Sequence, residues 1–201
     1  AAYKAQHRGG RGITGLTTRD DDFAQHVLVT STHSHILFFT DKGKVYTKKC
    51  YQLPEAGRQA KGTAIVNLLS LDTGEKITAM IPSTDLTKEG YLFFATKNGT
   101  IKRTSLAEFA NLRRHGLKAI ELREDDKLVG VFKTTGSADI MLGTLKGQAI
   151  KFHETDVRPM GRSAMGCRGI ALREGDEVIA AFPVMSEYIL SITEQGYGKR
   201  M

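Results

Sequence analysis

The chain has 201 residues, 40% hydrophobic and 25% charged, a composition that fits a globular protein and excludes a disordered one. Lys and Arg number 29 against 22 Asp and Glu, so the net charge is +7 and the pI about 9.4, a balance that favours polyanions as partners. No apolar run approaches the roughly 20 residues of a membrane helix, no secretory leader is legible, and Cys50 and Cys167 suit neither a disulfide framework nor a metal-ligand spacing, so a reduced, cytoplasmic protein without a membrane partner is expected.

In chain order, the first feature is QHRGGRG, Gln6–Gly12. Glycine lets backbone approach a ligand closely, and successive N–H groups can form an anion-binding nest. Arginine adds bidentate contacts to phosphate oxygens. The stretch therefore has the chemistry of a phosphate clamp. A flexible Arg-Gly linker is the equally plain alternative on composition alone.

Two markers then alternate along the chain. The first is a hairpin signature, a short apolar run, x-Gly, and a second short run. It occurs as FFTDKGKVYTKK from Phe38, FFATKNGTIKRT from Phe93, LGTLKGQAIKFH from Leu142 and SITEQGYGKRM from Ser191, with turn glycines Gly43, Gly99, Gly147 and Gly196. The second is a cation or histidine, then Gly, an apolar stretch and an acidic turn. Its copies are RGITGLTTRDDD from Arg11, KGTAIVNLLSLDTGEK from Lys61, HGLKAIELREDD from His115 and RGIALREGDE from Arg168. Both recur about every 50 residues, which predicts four units of about four short strands each, at 1–50, 51–105, 106–155 and 156–201. Strands of the second unit are predicted at 64–68, 77–81, 91–96 and 100–104. No sustained helical periodicity is present, and Ser105–Leu112 is the best candidate for a short helix. An all-β, propeller-like disc or arc follows. The sequence stops at GYGKRM, inside a strand of the fourth unit, which predicts that it is a piece of something longer.

Basic positions recur with the units. The fourth residue past each turn glycine is Thr47, Arg103, Lys151 or Arg200, with Lys48 and Lys49 following Thr47, and Lys102 and Lys199 preceding Arg103 and Arg200. Cations also sit in the loop before each second-marker glycine: Arg8 and Arg11, Arg58 and Lys61, Arg113 and Arg114, Arg162 and Arg168. Acidic residues cluster elsewhere, at 20–22, 72–75, 124–126 and 174–177. This separation of sign predicts a basic belt and an acidic edge. A curved stripe of cations suits a bent duplex carrying one charge per ~1.7 Å of axis.

Other motifs carry less. GRGITG, Gly10–Gly15, lacks the preceding strand and following helix of a dinucleotide site. His33 and His35 lack a third metal ligand at a plausible spacing, and the acidic turns lack a calcium-loop pattern. Tyr46, Tyr91, Tyr188 and Tyr197 fall in repeat strands, where packing is the expected role. No nucleophile–base constellation is legible, so no catalytic residue, metal or cofactor is expected in this chain.

The Gln6–Gly12 segment resembles the gyrase A box, Gln-(Arg/Lys)-Arg-Gly-Gly-(Arg/Lys)-Gly, of the C-terminal domains of DNA gyrase A subunits. His7 is the one departure, and a free histidine is mostly uncharged near neutral pH. The resemblance extends through all four units to Gly198–Arg200, with weaker cousins of the box at Gly57–Gly62, Arg113–Gly116 and Gly161–Gly169. It implies a β-pinwheel of which this chain holds about four blades, the strands being exchanged between neighbours. It further implies a non-catalytic domain that wraps double-stranded DNA around a basic rim to support ATP-dependent negative supercoiling. ATP and Mg2+ would be used elsewhere in the holoenzyme, whose other parts are the rest of the A subunit, together with the gyrase B subunit, in the bacterial cytoplasm at the nucleoid. The predicted DNA contacts are Gln6, His7, Arg8, Gly9, Gly10, Arg11, Gly12, Lys48, Lys49, Arg58, Lys61, Lys102, Arg103, Arg113, Arg114, Lys151, Arg162, Arg168, Lys199 and Arg200. The rival readings are the homologous domain of topoisomerase IV, whose box is degraded or missing, and a propeller serving as a protein-interaction platform. RNA binding is disfavoured by the want of a recurring aromatic stacking platform.

Overall fold

The hairpin signatures fold as predicted, and the apolar runs before Gly43, Gly99 and Gly147 become interior strands of three small sheets. A computed structural model describes residues 28–56, 60, 62–87, 89–112, 116–192, 195 and 197–200. Its strands are β1 His35–Thr40, β2 Lys44–Lys49, β3 Ile77–Pro82, β4 Tyr91–Thr96, β5 Thr100–Ser105, β6 Leu117–Lys118, β7 Leu128–Thr134, β8 Asp139–Thr144, β9 Ala149–His153, β10 Cys167–Arg168, β11 Val178–Pro183, β12 Leu190–Ile192 and β13 Gly198–Arg200. All named pairs are antiparallel. The sheet orders are β3-β1-β2-β6, β10-β5-β4-β7, β11-β8-β9 and β12-β13.

The hairpins explain themselves locally. Gly43, Gly99 and Gly147 take φ of 75°, 85° and 79°, a region that side chains avoid, and each turn closes by an N–H bond to a threonine carbonyl, Thr40, Thr96 or Thr144. The same threonine hydroxyls accept the N–H of Lys44, Thr100 and Gln148.

Two expectations need correction. The strand drawn at 64–68 is not formed, and Ile65–Asn67 is a 3-10 turn instead. The helix drawn at Ser105–Leu112 shrinks to a 3-10 segment, Leu106–Phe109, capped by the Ser105 hydroxyl. The strands that flank β2 and β5 come from farther along the chain. The apolar stretch after Gly116 supplies β6, which pairs with β2, and the stretch at Cys167 pairs with β5 through Cys167–Ile101 and Arg168–Thr100. Each of these two sheets is therefore completed by a segment from a later unit.

The core lies between successive sheets. Strands alternate their side chains between faces, and the central strands bury both. Leu92 and Phe94 of β4 face Leu37, Phe39 and Val45 of the first sheet, together with Phe109. Phe93 and Ala95 face Ile140 and Leu142 of the third. Phe39 meets Phe94 and Phe109 edge-on at 5.8 Å, and Phe93 stacks on Phe132 at 5.4 Å. On the far side of the first sheet, Ile36, Phe38 and Tyr46 are covered by Leu69 and the 65–71 segment. A cluster of this kind stabilises by about 25 cal/mol for each Å² of apolar surface withdrawn from water.

Candidate nucleic-acid interface

The position of each sheet in the row decides which cations reach solvent. β3, β7 and β11 pack near one another, while β2 and β5 lie toward the other ends of their sheets and carry β6 and β10 outside them. Lys49 closes β2 and is exposed, its ammonium 5.5 Å from the Tyr51 ring, while Lys48 beside it is half-buried. Lys151 on β9 and Arg168 on β10 are exposed, and Arg162 in the preceding loop is half-buried. Lys199 and Arg200 on β13 are exposed, the Arg200 guanidinium lying 4.7 Å from the centre of the Tyr188 ring. Gln6, His7, Arg8, Gly9, Gly10, Arg11 and Gly12, with Arg58, Lys61, Arg113 and Arg114, lie outside the described residues.

The two β5 cations correct the expectation of a uniform belt. Lys102 is fully buried and Arg103 is 6% exposed. The Lys102 ammonium donates to the carbonyls of Ala119 at 2.5 Å, Arg162 at 2.8 Å and Gly161 at 3.1 Å. Burial, the largest influence, pulls its pKa from 10.5 down to about 7, with Glu108 opposing and Arg162 adding to the fall. Arg103 lies 3.5 Å from Glu154, which is itself fully buried, and its guanidinium is 4.3 Å from the Tyr91 ring centre. Glu154 also accepts the Thr134 hydroxyl at 2.7 Å and the N–H groups of Gly136 and Ala138. Both β5 side chains thus make their charged contacts within the fold.

The acidic turns are also partly internal. Asp126 accepts the N–H of Asn98 at 2.9 Å, and Asp176 that of Lys146 at 2.9 Å, so each holds the tip of a hairpin. Glu75 does the related work in the first sheet, taking the hydroxyls of Thr40 at 2.7 Å and Tyr46 at 2.8 Å. Burial and the hydrogen bond to Glu75 raise the Tyr46 pKa above its usual value. Among the described residues the exposed remainder of the predicted acidic edge is Asp72, Glu124, Asp125 and Glu174, and its 20–22 cluster lies outside them. Of the tyrosines, Tyr46 packs in the core as expected, whereas Tyr188 and Tyr197 are 57% and 76% exposed.

Sequence reasoning passes over Lys44 and Lys118, which face each other across the β2–β6 pair. Each has its own carboxylate: Lys44 bonds Asp72 at 2.6 Å, and Lys118 bonds Glu121. Their signal is present in KGKVY and HGLKA, but the pairing that brings them together is not. Lys49, Lys151, Arg168, Lys199 and Arg200 differ in that none has a carboxylate partner among the described residues. The arrangement offers exposed, uncompensated cations on outer strands, and among the described residues no group of three or more metal-binding side chains.

Comparison with known proteins agrees with this geometry. The family model for the "DNA gyrase C-terminal domain, beta-propeller" matches residues 1–31, 34–84, 90–135, 138–185 and 187–201. The chain is 48% identical over 204 aligned residues to the DNA gyrase A subunit of Staphylococcus epidermidis and 47% identical to that of Staphylococcus aureus, covering all of this chain and 23% of each relative. It therefore spans about a quarter of the length of the curated relatives it matches. Among solved structures, a DNA gyrase A C-terminal domain superposes with a TM-score of 0.77 at 29% identity, over 98% of this chain and 64% of that one. The C-terminal domain of a DNA topoisomerase IV gives 0.76 at 33% identity, over 85% and 54%. With its all-β blades, exchanged strands and whole-length match, the chain belongs to the family of DNA gyrase C-terminal domains.

Proposed function

We propose that this chain binds and bends double-stranded DNA along its outer strands, as the wrapping domain of a DNA gyrase A subunit. The observation that carries the reading is the set of exposed strand cations without carboxylate partners among the described residues, Lys49 on β2, Lys151 on β9, Arg168 on β10 and Lys199 and Arg200 on β13, on a fold of the gyrase C-terminal family. Contacts of this kind go to phosphates and are nearly independent of sequence. Bending a 20–30 base-pair site by 40–90° costs on the order of 1–6 kcal/mol. Neutralising ~6–10 phosphates offsets that cost and makes binding steeply salt-dependent. The Gln6–Gly12 box completes the wrap through backbone N–H groups and the Arg8 and Arg11 guanidiniums.

In this reading the domain supplies geometry. Cleavage, ATP and Mg2+ belong to the rest of the A subunit, together with the gyrase B subunit, and the site of action is the bacterial nucleoid. The test is topological. A nicked circular plasmid is ligated with the chain bound, the protein is removed and the linking number is read, beside an Arg8→Ala/Arg11→Ala variant. A positive shift that the variant loses is the expected result. Binding without a shift in either protein would favour a topoisomerase IV-like domain. Loss of binding at physiological salt would favour a protein-interaction platform.

A further inference from the structure

Among the described residues Lys102 is the only buried lysine. An ammonium has three donors and no acceptor. Here all three donors are used, on the carbonyls of Ala119, Gly161 and Arg162, with the Phe94 ring centre 4.9 Å away. The charged groups around it are Glu108 and Arg162, and Glu108 also accepts the Arg162 N–H at 3.0 Å.

The three acceptors come from two different connectors. Ala119 follows β6, the segment that completes the first sheet. Gly161 and Arg162 open the loop that leads to β10, the segment that completes the second. The two connectors also touch directly, the Glu121 N–H donating to the Ala164 carbonyl at 3.2 Å. Lys102 lies on β5 beneath their meeting point. The matching positions in the other hairpins do not repeat the arrangement: Tyr46 bonds Glu75, Ile150 has no polar side-chain atom, and Lys199 is exposed.

We propose that Lys102 is a positioning residue whose ammonium fastens both connectors to β5 and so fixes where the 161–168 loop presents Arg162 and Arg168. The presentation to DNA rests on the function proposed above; the fastening does not.

The primary variant is Lys102→Met, which keeps the length and removes the donors. Hydrogen exchange of the free 201-residue chain is expected to quicken about tenfold or more over 117–121 and 160–169, and to stay unchanged over the 139–153 hairpin. Unchanged protection at 160–169, or a uniform loss along the chain, would overturn the fastening. If Lys102→Met does not fold, Lys102→Arg serves, because a planar guanidinium keeps the charge but cannot converge on three carbonyls. In wild type at a pH well below 7, where Lys102 carries its proton, a slowly exchanging Lys102 ammonium resonance in 15N spectra is the matching signature, and a rapidly exchanging one would contradict it.

Duplex binding at fixed salt then tests the consequence. Lys102→Met is expected to weaken it about fivefold, and to have no further effect in an Arg162→Ala/Arg168→Ala background. Additive losses would overturn the positioning role. A wild-type chain that binds no duplex would instead remove the functional reading, and the exchange pattern would still decide the fastening.

Discussion

Strands β5 and β13 carry the same pair of cations at the same distance from a turn glycine, Lys102-Arg103 after Gly99 and Lys199-Arg200 after Gly196. Each arginine even lies over an equivalent tyrosine, Arg103 over Tyr91 at 4.3 Å and Arg200 over Tyr188 at 4.7 Å. Yet the first pair is buried and the second is exposed. What differs is the surroundings. β5 is covered by β10 and the loop before it, and Glu154 reaches Arg103 from the next hairpin. Among the described residues β13 has β12 alone as a sheet partner. A repeat fixes where a side chain leaves the backbone, while the neighbours decide whether it becomes an internal strut or a surface charge.

The sharpest way to break that comparison is at Glu154. Glu154→Gln leaves the Arg103 charge buried without its partner, and loss of one member of a buried pair costs about 3–5 kcal/mol. Urea unfolding should show a large fall in midpoint with an unchanged slope. Charge reversal at the exposed Glu187 should stay within about 0.5 kcal/mol, as surface changes do. Equal losses at the two sites would mean that burial does not separate the strands.

Lys102→Met comes next. It strands three carbonyls and should cost about 1–3 kcal/mol, against about 0.5 kcal/mol or less for Lys199→Met. The pH dependence sharpens the contrast. The folded pKa of about 7 lies below the ordinary lysine value of 10.5, so between those limits the unfolded chain binds more protons. Stability should therefore rise with pH across that window, and Lys102→Met should flatten the rise. Lys199→Met should leave it in place.

The exposed pair is expected to show the opposite profile, little stability and much binding. Lys199→Ala/Arg200→Ala should reduce the slope of log affinity against log salt by ~0.9 for each phosphate no longer neutralised, with the unfolding midpoint unmoved. The smallest expected effect is at the aromatic partner. Tyr188→Leu removes a cation–π interaction worth about 0.5–1 kcal/mol at an exposed site, read as a modest change in duplex affinity.

Much of the fold is legible in the sequence because hairpins are local. Asn98-Gly99 between two apolar runs places β4 and β5 without any knowledge of the rest, and the strands predicted at 91–96 and 100–104 form as Tyr91–Thr96 and Thr100–Ser105. The resemblance implies that strands are exchanged, but which segments exchange is not legible, because β6 and β10 are two residues long and gain their identity only from β2 and β5. The site suffers from the same limit. Lys-Arg in a strand reads as a polar pair, and nothing near it announces that Glu154 and three carbonyls will enclose it. Asp126 and Asp176 mislead for the converse reason, since an acidic turn looks solvated until a hairpin tip is seen resting on its carboxylate. Lys151, Arg168, Lys199 and Arg200 lie exposed on their strands.

The exchanged strands bear on how the molecule is made. Val45 pairs with Leu117 and Ile101 with Cys167, partners separated by about 70 residues, and such long-range closure slows folding. A ribosome adding ~5–20 residues each second leaves the outer edge of β2 open for several seconds before Leu117 is made. An open strand edge is a template for pairing with another chain. Lys48 and Lys49 at the end of β2 are charges of the kind that blunt an open edge against pairing with another copy.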